Sequence, residues 1–206
     1  MAGFSRGGPR SARSRRESDA SAEPRAERGP SECSPGAMED RALRTILEEL
    51  ARRSGAYRGE GHNQDHEAFV GRLEVEPVVG ARGIRVEFDA HGLDGTLFHR
   101  EHTWIAPTPD GDLCLWTLNS NMPGVLCHRL RRDGGLDPRV VTFGIGEVGD
   151  RAVYREEISI EIWNDGSLGY RYAWGLPSGK FEDRSSVRMV PLGSPQDDRA
   201  GRPEME

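Results

Sequence analysis

Apolar and polar residues alternate with a period of two along most of the chain. Ile84, Val86, Phe88 and Ala90 are separated by Arg85, Glu87 and Asp89, and Tyr154, Glu156, Ile158, Ile160 and Ile162 by Arg155, Glu157, Ser159 and Glu161. Successive side chains of a strand point to opposite faces, so each such segment reads as a strand with one face turned inward. Turn formers separate the segments, among them Asp94-Gly95, Asp110-Gly111, Pro123-Gly124, Gly149-Asp150, Asp165-Gly166 and Ser178-Gly179. The pattern predicts strands over 57–61, 67–78, 81–90, 95–106, 112–119, 124–132, 139–147, 151–163, 167–176 and 181–191. No long crossover interrupts them, so strands adjacent in sequence are expected to pair. A meander of this length removes its unpaired edges by closing on itself. The expected fold is all-β: a closed antiparallel up-and-down barrel of about ten strands over 55–192. A two-sheet Greek-key sandwich is the main alternative.

Ahead of the strands the period changes. Ala42, Leu43, Ile46, Leu47 and Leu50 recur at spacings of three and four, opposite Glu and Arg, and predict one short amphipathic helix over 38–54. Glu39 and Asp40 are expected in its first turn and Arg52 and Arg53 in its last, in keeping with the helix dipole, with Gly55 as the stop. A helix this short is unstable alone, so its stripe should lie against the barrel, with the cavity entered beneath or beside it. Residues 1–37 are rich in Arg, Ser, Gly, Pro and Glu and poor in large apolar side chains, as expected of a disordered tail; 193–206 is read the same way.

Charge narrows the partners. The first 37 residues carry seven Arg against five acidic residues, which leaves about −8 on the remainder of a chain whose net charge is −6. Nucleic-acid affinity rests on clustered cations, so no nucleic acid is expected as partner. No apolar run is long enough to span a bilayer, and three cysteines in 206 residues suit a reducing compartment, so a cytoplasmic protein without a membrane partner is expected. A homodimer is compatible with the sequence.

The densest polar group is Phe98-His99-Arg100-Glu101-His102-Thr103-Trp104. Alternation puts His99, Glu101 and Thr103 on one face and Phe98, Arg100, His102 and Trp104 on the other, and both faces mix polar with apolar, so pattern leaves the inward set open. An inward His99 and Glu101 would stand about 7 Å apart along the strand, suited to holding a polar ligand group or moving a proton. Asn119 and Asn121 sit where a strand becomes a turn, either capping loop backbone or lining a cavity mouth. His128 shares a face with Leu126 and Leu130. Glu156 lies on an apolar face and needs a partner, an Arg or His across the barrel or a ligand. Tyr154 belongs to the same face. Tyr170, Tyr172 and Trp174 share one face of a later strand, where rings with polar tips serve equally as a ligand wall or as core. No histidines or cysteines recur at a zinc spacing, so no metal is expected. Gly144-Ile145-Gly146-Glu147-Val148-Gly149 has the letters of a dinucleotide fingerprint but precedes a strand where that fingerprint needs a helix, so it reads as a strand end and turn.

Tyr57-Arg58-Gly59-Glu60-Gly61 and His99-Arg100-Glu101 resemble two motifs of the nitrobindin and fatty-acid-binding-protein-like branch of the calycin β-barrels, relatives of the lipocalins. The first is similar to that branch's opening aromatic-x-Gly-x-Gly strand, the second to its His-x-Glu strand, and a short helix before the barrel agrees. The resemblance implies a ten-stranded barrel that binds haem through a histidine on a late strand, some members isomerising peroxynitrite at ferric haem. Here no histidine follows His128, and the matching segment runs Phe181-Glu182-Asp183-Arg184-Ser185-Ser186-Val187-Arg188-Met189. Haem is therefore disfavoured, and a small apolar or aromatic molecule becomes the expected ligand. Candidate contacts are His99, Glu101, His102, Trp104, Asn119, His128, Tyr154, Tyr170, Tyr172 and Trp174. The alternative is an enzyme of isomerase, cyclase or lyase type in the same barrel, with His99 and Glu101, or Glu156, as acid and base. A barrel whose interior is filled, with no ligand, is the third reading.

Overall fold

The computed structural model describes residues 35–132, 137 and 139–193. The expected tails, 1–37 and 193–206, fall outside the described residues apart from 35–37 and 193. The helix, α1 (Pro35–Arg52), precedes ten strands: β1 (Gly55–Asn63), β2 (Ala68–Val78), β3 (Gly83–Gly92), β4 (Leu97–Pro107), β5 (Leu113–Asn119), β6 (Val125–Leu130), β7 (Val140–Ile145), β8 (Arg155–Ile162), β9 (Leu168–Gly175) and β10 (Glu182–Pro191). Each strand pairs antiparallel with its neighbours in sequence, and β1 pairs with β10 from Tyr57↔Pro191 to Asn63↔Ser185, which closes the barrel. The sandwich alternative is excluded by that last pairing. No helix among the described residues is long and apolar enough to cross a membrane.

Three hairpins use one solution. Gly92 to Thr96, Thr108 to Asp112 and Trp163 to Ser167 are each closed by a backbone N–H to carbonyl bond from first residue to last, of 2.8, 2.7 and 3.0 Å. In each, Asp-Gly supplies the turn, and Gly95, Gly111 and Gly166 take φ of 88°, 89° and 88°, the left-handed position that ends a type I turn with a G1 bulge. The Asp-Gly signal in the sequence thus sets these registers directly.

The helix begins three residues before the expected Met38, because Pro35 suits a first helical position, where no N–H is needed. Glu39 and Asp40 therefore lie beyond its first turn. Leu43, Ile46 and Leu50 are buried against the barrel, each worth about 1.5–3 kcal/mol relative to exposure. Arg53, just after the helix, accepts a hydrogen bond from Tyr57 Oη through its carbonyl and approaches Gly166 in the β8–β9 turn. The helix consequently plugs the end of the barrel where β1 begins. That half is packed solid by Val75, Ile84, Ile105, Leu115, Phe143 and Ile160. The expected entry beside the helix is thereby corrected: the opening is at the far end, among the β1–β2, β3–β4, β5–β6 and β9–β10 turns.

Two further departures matter for the site. β8 starts at Arg155 rather than 151, because residues 147–150 form a turn, closed by Asp150 N–H to Glu147 carbonyl at 2.9 Å; Tyr154 is left just ahead of the strand. β6 and β7 pair at Arg129↔Gly144 and Leu130↔Phe143, and the Arg131 N–H continues the pairing to the Thr142 carbonyl at 2.8 Å. Arg131 crosses this short seam, donating to Glu157 at 3.2 Å and to the Gly146 carbonyl, and its guanidinium occupies the space that a side chain at Gly144 would need.

Candidate functional site

At the open end the barrel is hollow. A cavity of about 210 Å³ is walled by Phe69, Phe88, Phe98, Tyr170, Tyr172 and Trp174, with Asn63, Gln64, His99, Asn121, Arg184 and Ser185 among its polar groups. Strand alternation aims most of these rings inward, while two β-bulges supply the rest. Register shifts between Ala90 and His91 opposite β4, which turns Phe98 as well as His99 toward the interior and leaves Leu97 exposed. A second shift, between Asp183 and Ser185, turns Arg184 together with Ser185 toward the mouth. Bulges re-aim side chains by adding one residue to one strand, and neither is visible in the alternation of the sequence.

His99 and Glu101 both face inward from β4. Glu101 is buried and accepts two hydrogen bonds, from Tyr170 Oη and from His99 Nε2 at 3.1 Å. Asn121 Nδ2 lies 3.1 Å from His99 Nδ1, and Ser120 Oγ donates to Asn121 Oδ1 at 3.0 Å. With Asn121 donating to Nδ1, the imidazole hydrogen sits on Nε2 and points at the carboxylate. Phe88 stacks on Tyr170 with centroids 4.7 Å apart, and Tyr172 leans on the His99 ring at 5.6 Å. Burial, and then the charge of Glu101, push the Tyr170 hydroxyl well above its ordinary value, so it stays a donor.

Across the interior Glu156 makes a second cluster. His128 Nε2 lies 2.7 Å from its Oε1, and Tyr154 Oη donates to Oε2. Burial alone would raise the Glu156 pKa, but the hydrogen bonds from His128 and Tyr154 outweigh it and hold the carboxyl below its usual range. Burial and the nearby Glu156 raise the hydroxyls of Tyr172 and Tyr154 above the ordinary tyrosine range. His128 is completely buried, and its Nδ1 has no partner among the described residues. Thr103 Oγ1, Thr117 Oγ1 and Asn119 Nδ2, on the same inner wall of β4, β5 and β6, are likewise without one.

The expected site residues divide accordingly. His99, Tyr170, Tyr172 and Trp174 line the cavity, and Glu101 stands immediately behind His99 and Tyr170. His128, Tyr154 and Glu156 are brought together as one buried cluster, with His128 the partner that Glu156 required. Asn119 serves the turn, accepting from the backbone N–H groups of Asn121 and Met122, both at 2.9 Å, while Asn121 reaches the cavity mouth. His102 and Trp104 are corrections: with His99 and Glu101 inside, alternation forces both onto the outer wall, where Trp104 is 53% exposed and His102 pairs with Glu87 at 3.2 Å. Arg184, Phe98 and Phe69 are not among the expected contacts, whereas of the two turn amides it is Asn121 that takes the mouth-lining alternative. Phe69 heads the alternating face of β2 and was readable from its period of two; Arg184 and Phe98 depend on the bulges.

Haem, which the resemblance implies, needs a ligand atom with a free lone pair facing the cavity, and these residues do not fit it. Both nitrogens of His99 are engaged, His128 is sealed away, and the late strand β10 carries no histidine, its buried Val187 and Met189 both belonging to the packed core. Among the described residues no group of three or more His, Cys, Asp or Glu could hold a metal ion.

Comparison with known proteins yields fold similarity alone. No protein-family model matches the chain, and no curated protein matches it. Among solved structures, the crystal structure of Rv2717c from M. tuberculosis is similar with a TM-score of 0.52 at 13% identity, covering 71% of this chain and 97% of that one. A designed fluorescence-activating β-barrel is similar at a TM-score of 0.37 and 13% identity, over 70% of this chain and 98% of that one. The chain is a ten-stranded closed antiparallel barrel, and its likeness to Rv2717c is one of fold.

Proposed function

We propose that this barrel binds a small, largely apolar molecule with one or two polar groups, in the cytoplasm, and that it lies in the nitrobindin-like branch while having given up haem. The observation that carries the reading is the half-filled interior. The helix end is packed, whereas the mouth end keeps a cavity of about 210 Å³ lined mostly by aromatic rings. A dry apolar cavity of roughly 150 Å³ accommodates benzene, so the space suits a body of one or two fused rings and is small for a porphyrin. Tyr57 to Gly61 and His99-x-Glu101 support the family placement; β10 departs from it.

A second reading, an isomerase, cyclase or lyase, is favoured by the Asn121, His99, Glu101 chain. A buried carboxylate orients an imidazole whose other nitrogen is held only by a residue of the mouth loop. That nitrogen would serve as base or acid once a substrate displaced Asn121.

Calorimetric titration with naphthalene carboxamide, a neutral two-ring probe, tests the binding reading. One saturable site is expected, lost in Ala90→Phe, which fills the cavity from β3, in protein shown by circular dichroism to be folded. Undiminished binding by that variant, or none by the parent protein, would overturn it. Haemin should produce no Soret shift. If His99→Ala spares ligand affinity but abolishes turnover of a candidate substrate, the enzyme reading prevails.

A further inference from the structure

Among the described residues Arg184 is the one Lys or Arg that lines the cavity mouth, and its surroundings bear on the charge of the ligand. The β10 bulge brings its guanidinium over the Trp174 ring, 4.1 Å from the centroid. Nε donates to the Trp174 carbonyl at 3.3 Å and Nη1 to Gln64 Oε1 at 3.0 Å. The side chain is 20% exposed, and its ion-pair partner, Glu182, lies 3.5 Å away and is half exposed. A contact of that kind is weak and screened by solvent. Stacking and two fixed hydrogen bonds orient the group, while Nη2 carries neither of those bonds.

The carboxylates deeper inside offer no counterweight to a cationic ligand. Glu101 Oε1 and Oε2 are taken by Tyr170 and His99, and Glu156 Oε1 and Oε2 by His128 and Tyr154. Their negative charge would repel an anion placed deep in the barrel, and their filled oxygens would not reward an ammonium group. An anion is favoured at the rim, where Arg184 is joined by the Ser185 hydroxyl, while the rings of Phe69, Phe88 and Phe98 accept an apolar body below.

Resting on the proposed binding function, we infer that the ligand is an aromatic carboxylate, its ring system in the cavity and its carboxylate at the mouth on Arg184. Guanidinium and carboxylate form charge-assisted, often bidentate bonds that a neutral amide does not match.

The test is calorimetric titration of the full chain with three probes of one shape: naphthalene carboxylate, naphthalene carboxamide and naphthylmethylammonium. The carboxylate is expected to bind on the order of tenfold tighter than the amide, with the ammonium weakest. Arg184→Gln should erase the preference by weakening the carboxylate alone. Should that variant fail to fold, Glu182→Gln gives the answer from the opposite side: removing the competing carboxylate should tighten naphthalene carboxylate by about two- to threefold and leave the amide unchanged. Equal binding of carboxylate and amide, or preference for the ammonium, overturns the inference while the cavity reading stands. Binding of none of the three overturns both.

Discussion

Glu101 and Glu156 are each held inside the barrel by one histidine and by tyrosine hydroxyl groups, yet the two clusters meet their surroundings differently. The His99 side chain is 14% exposed and forms part of the cavity wall, whereas His128 and Glu156 are both at 0%. The same three kinds of side chain therefore make a ligand-facing group in one place and an internal brace in the other. The distinction comes from position along the strand. His99 lies next to a bulge at the open end, while His128 on β6 reaches past β7 to Glu156 on β8, inside the closed wall. Removing the partner of a buried polar group costs more the less water can reach the group left behind, so the two clusters should answer mutation to different degrees.

The largest effect is expected at the sealed cluster. Glu156→Ala leaves His128, Tyr154 and Tyr172 without their acceptor in an apolar interior, and His128→Ala leaves a buried carboxylate short of a donor. Each should destabilise by about 3–5 kcal/mol, a fall in Tm of roughly 10 °C for a domain of this size. His99→Ala exposes Glu101 to a cavity that admits water and should cost only about 1–3 kcal/mol. Equal melting temperatures for His99→Ala and His128→Ala would break the contrast.

The tyrosines extend the contrast to alkaline pH. Tyr170 and Tyr172 are held protonated in the folded barrel by burial and by the neighbouring carboxylates. In the unfolded chain they lose their protons near the ordinary value of 10.0, so above that pH the unfolded state binds fewer protons and stability falls. The slope is about 1.4 kcal/mol per pH unit for each tyrosine. Glu156 acts at the other end of the scale. Its folded pKa is below the ordinary 4.5, so its contribution is complete above that value and is lost as pH falls through the folded one. Urea unfolding across pH should show both flanks. Tyr172→Phe should shallow the alkaline one and Glu156→Gln the acid one; if neither variant changes its flank, the cause lies elsewhere.

Legibility in the sequence follows the same physics. Closure was readable because the Asp-Gly turns and uninterrupted alternation leave no room for a crossover, and the inward faces of β3 and β8 were readable because each is almost wholly apolar on one side. β4 was not, since His99 and Glu101 alternate with Arg100 and His102, and only pairing with Phe88 and Asn119 on the neighbouring strands fixes which set is inside. The helix stripe announced burial without saying which end of the barrel it would plug. Arg184 could not be found by alternation at all, because the extra residue that aims it is a property of register with β9.

The smallest expected effect lies three residues from the cavity wall. His102 shares β4 with His99 but faces solvent, its side chain 54% exposed and paired with a half-buried Glu87. Exposed pairs of this kind contribute about 0–1 kcal/mol, and Glu87, the partner of His102, lies on the outer face as well. His102→Ala should therefore shift stability by less than about 0.5 kcal/mol and leave the affinity for naphthalene carboxamide untouched, while His99→Ala weakens it. Calorimetry on the two variants makes the check at fixed residue type and fixed strand, so that only the face differs. A drop in affinity from His102→Ala as large as that from His99→Ala would mean that the β4 face assignment, on which the whole polar side of the cavity is built, is reversed.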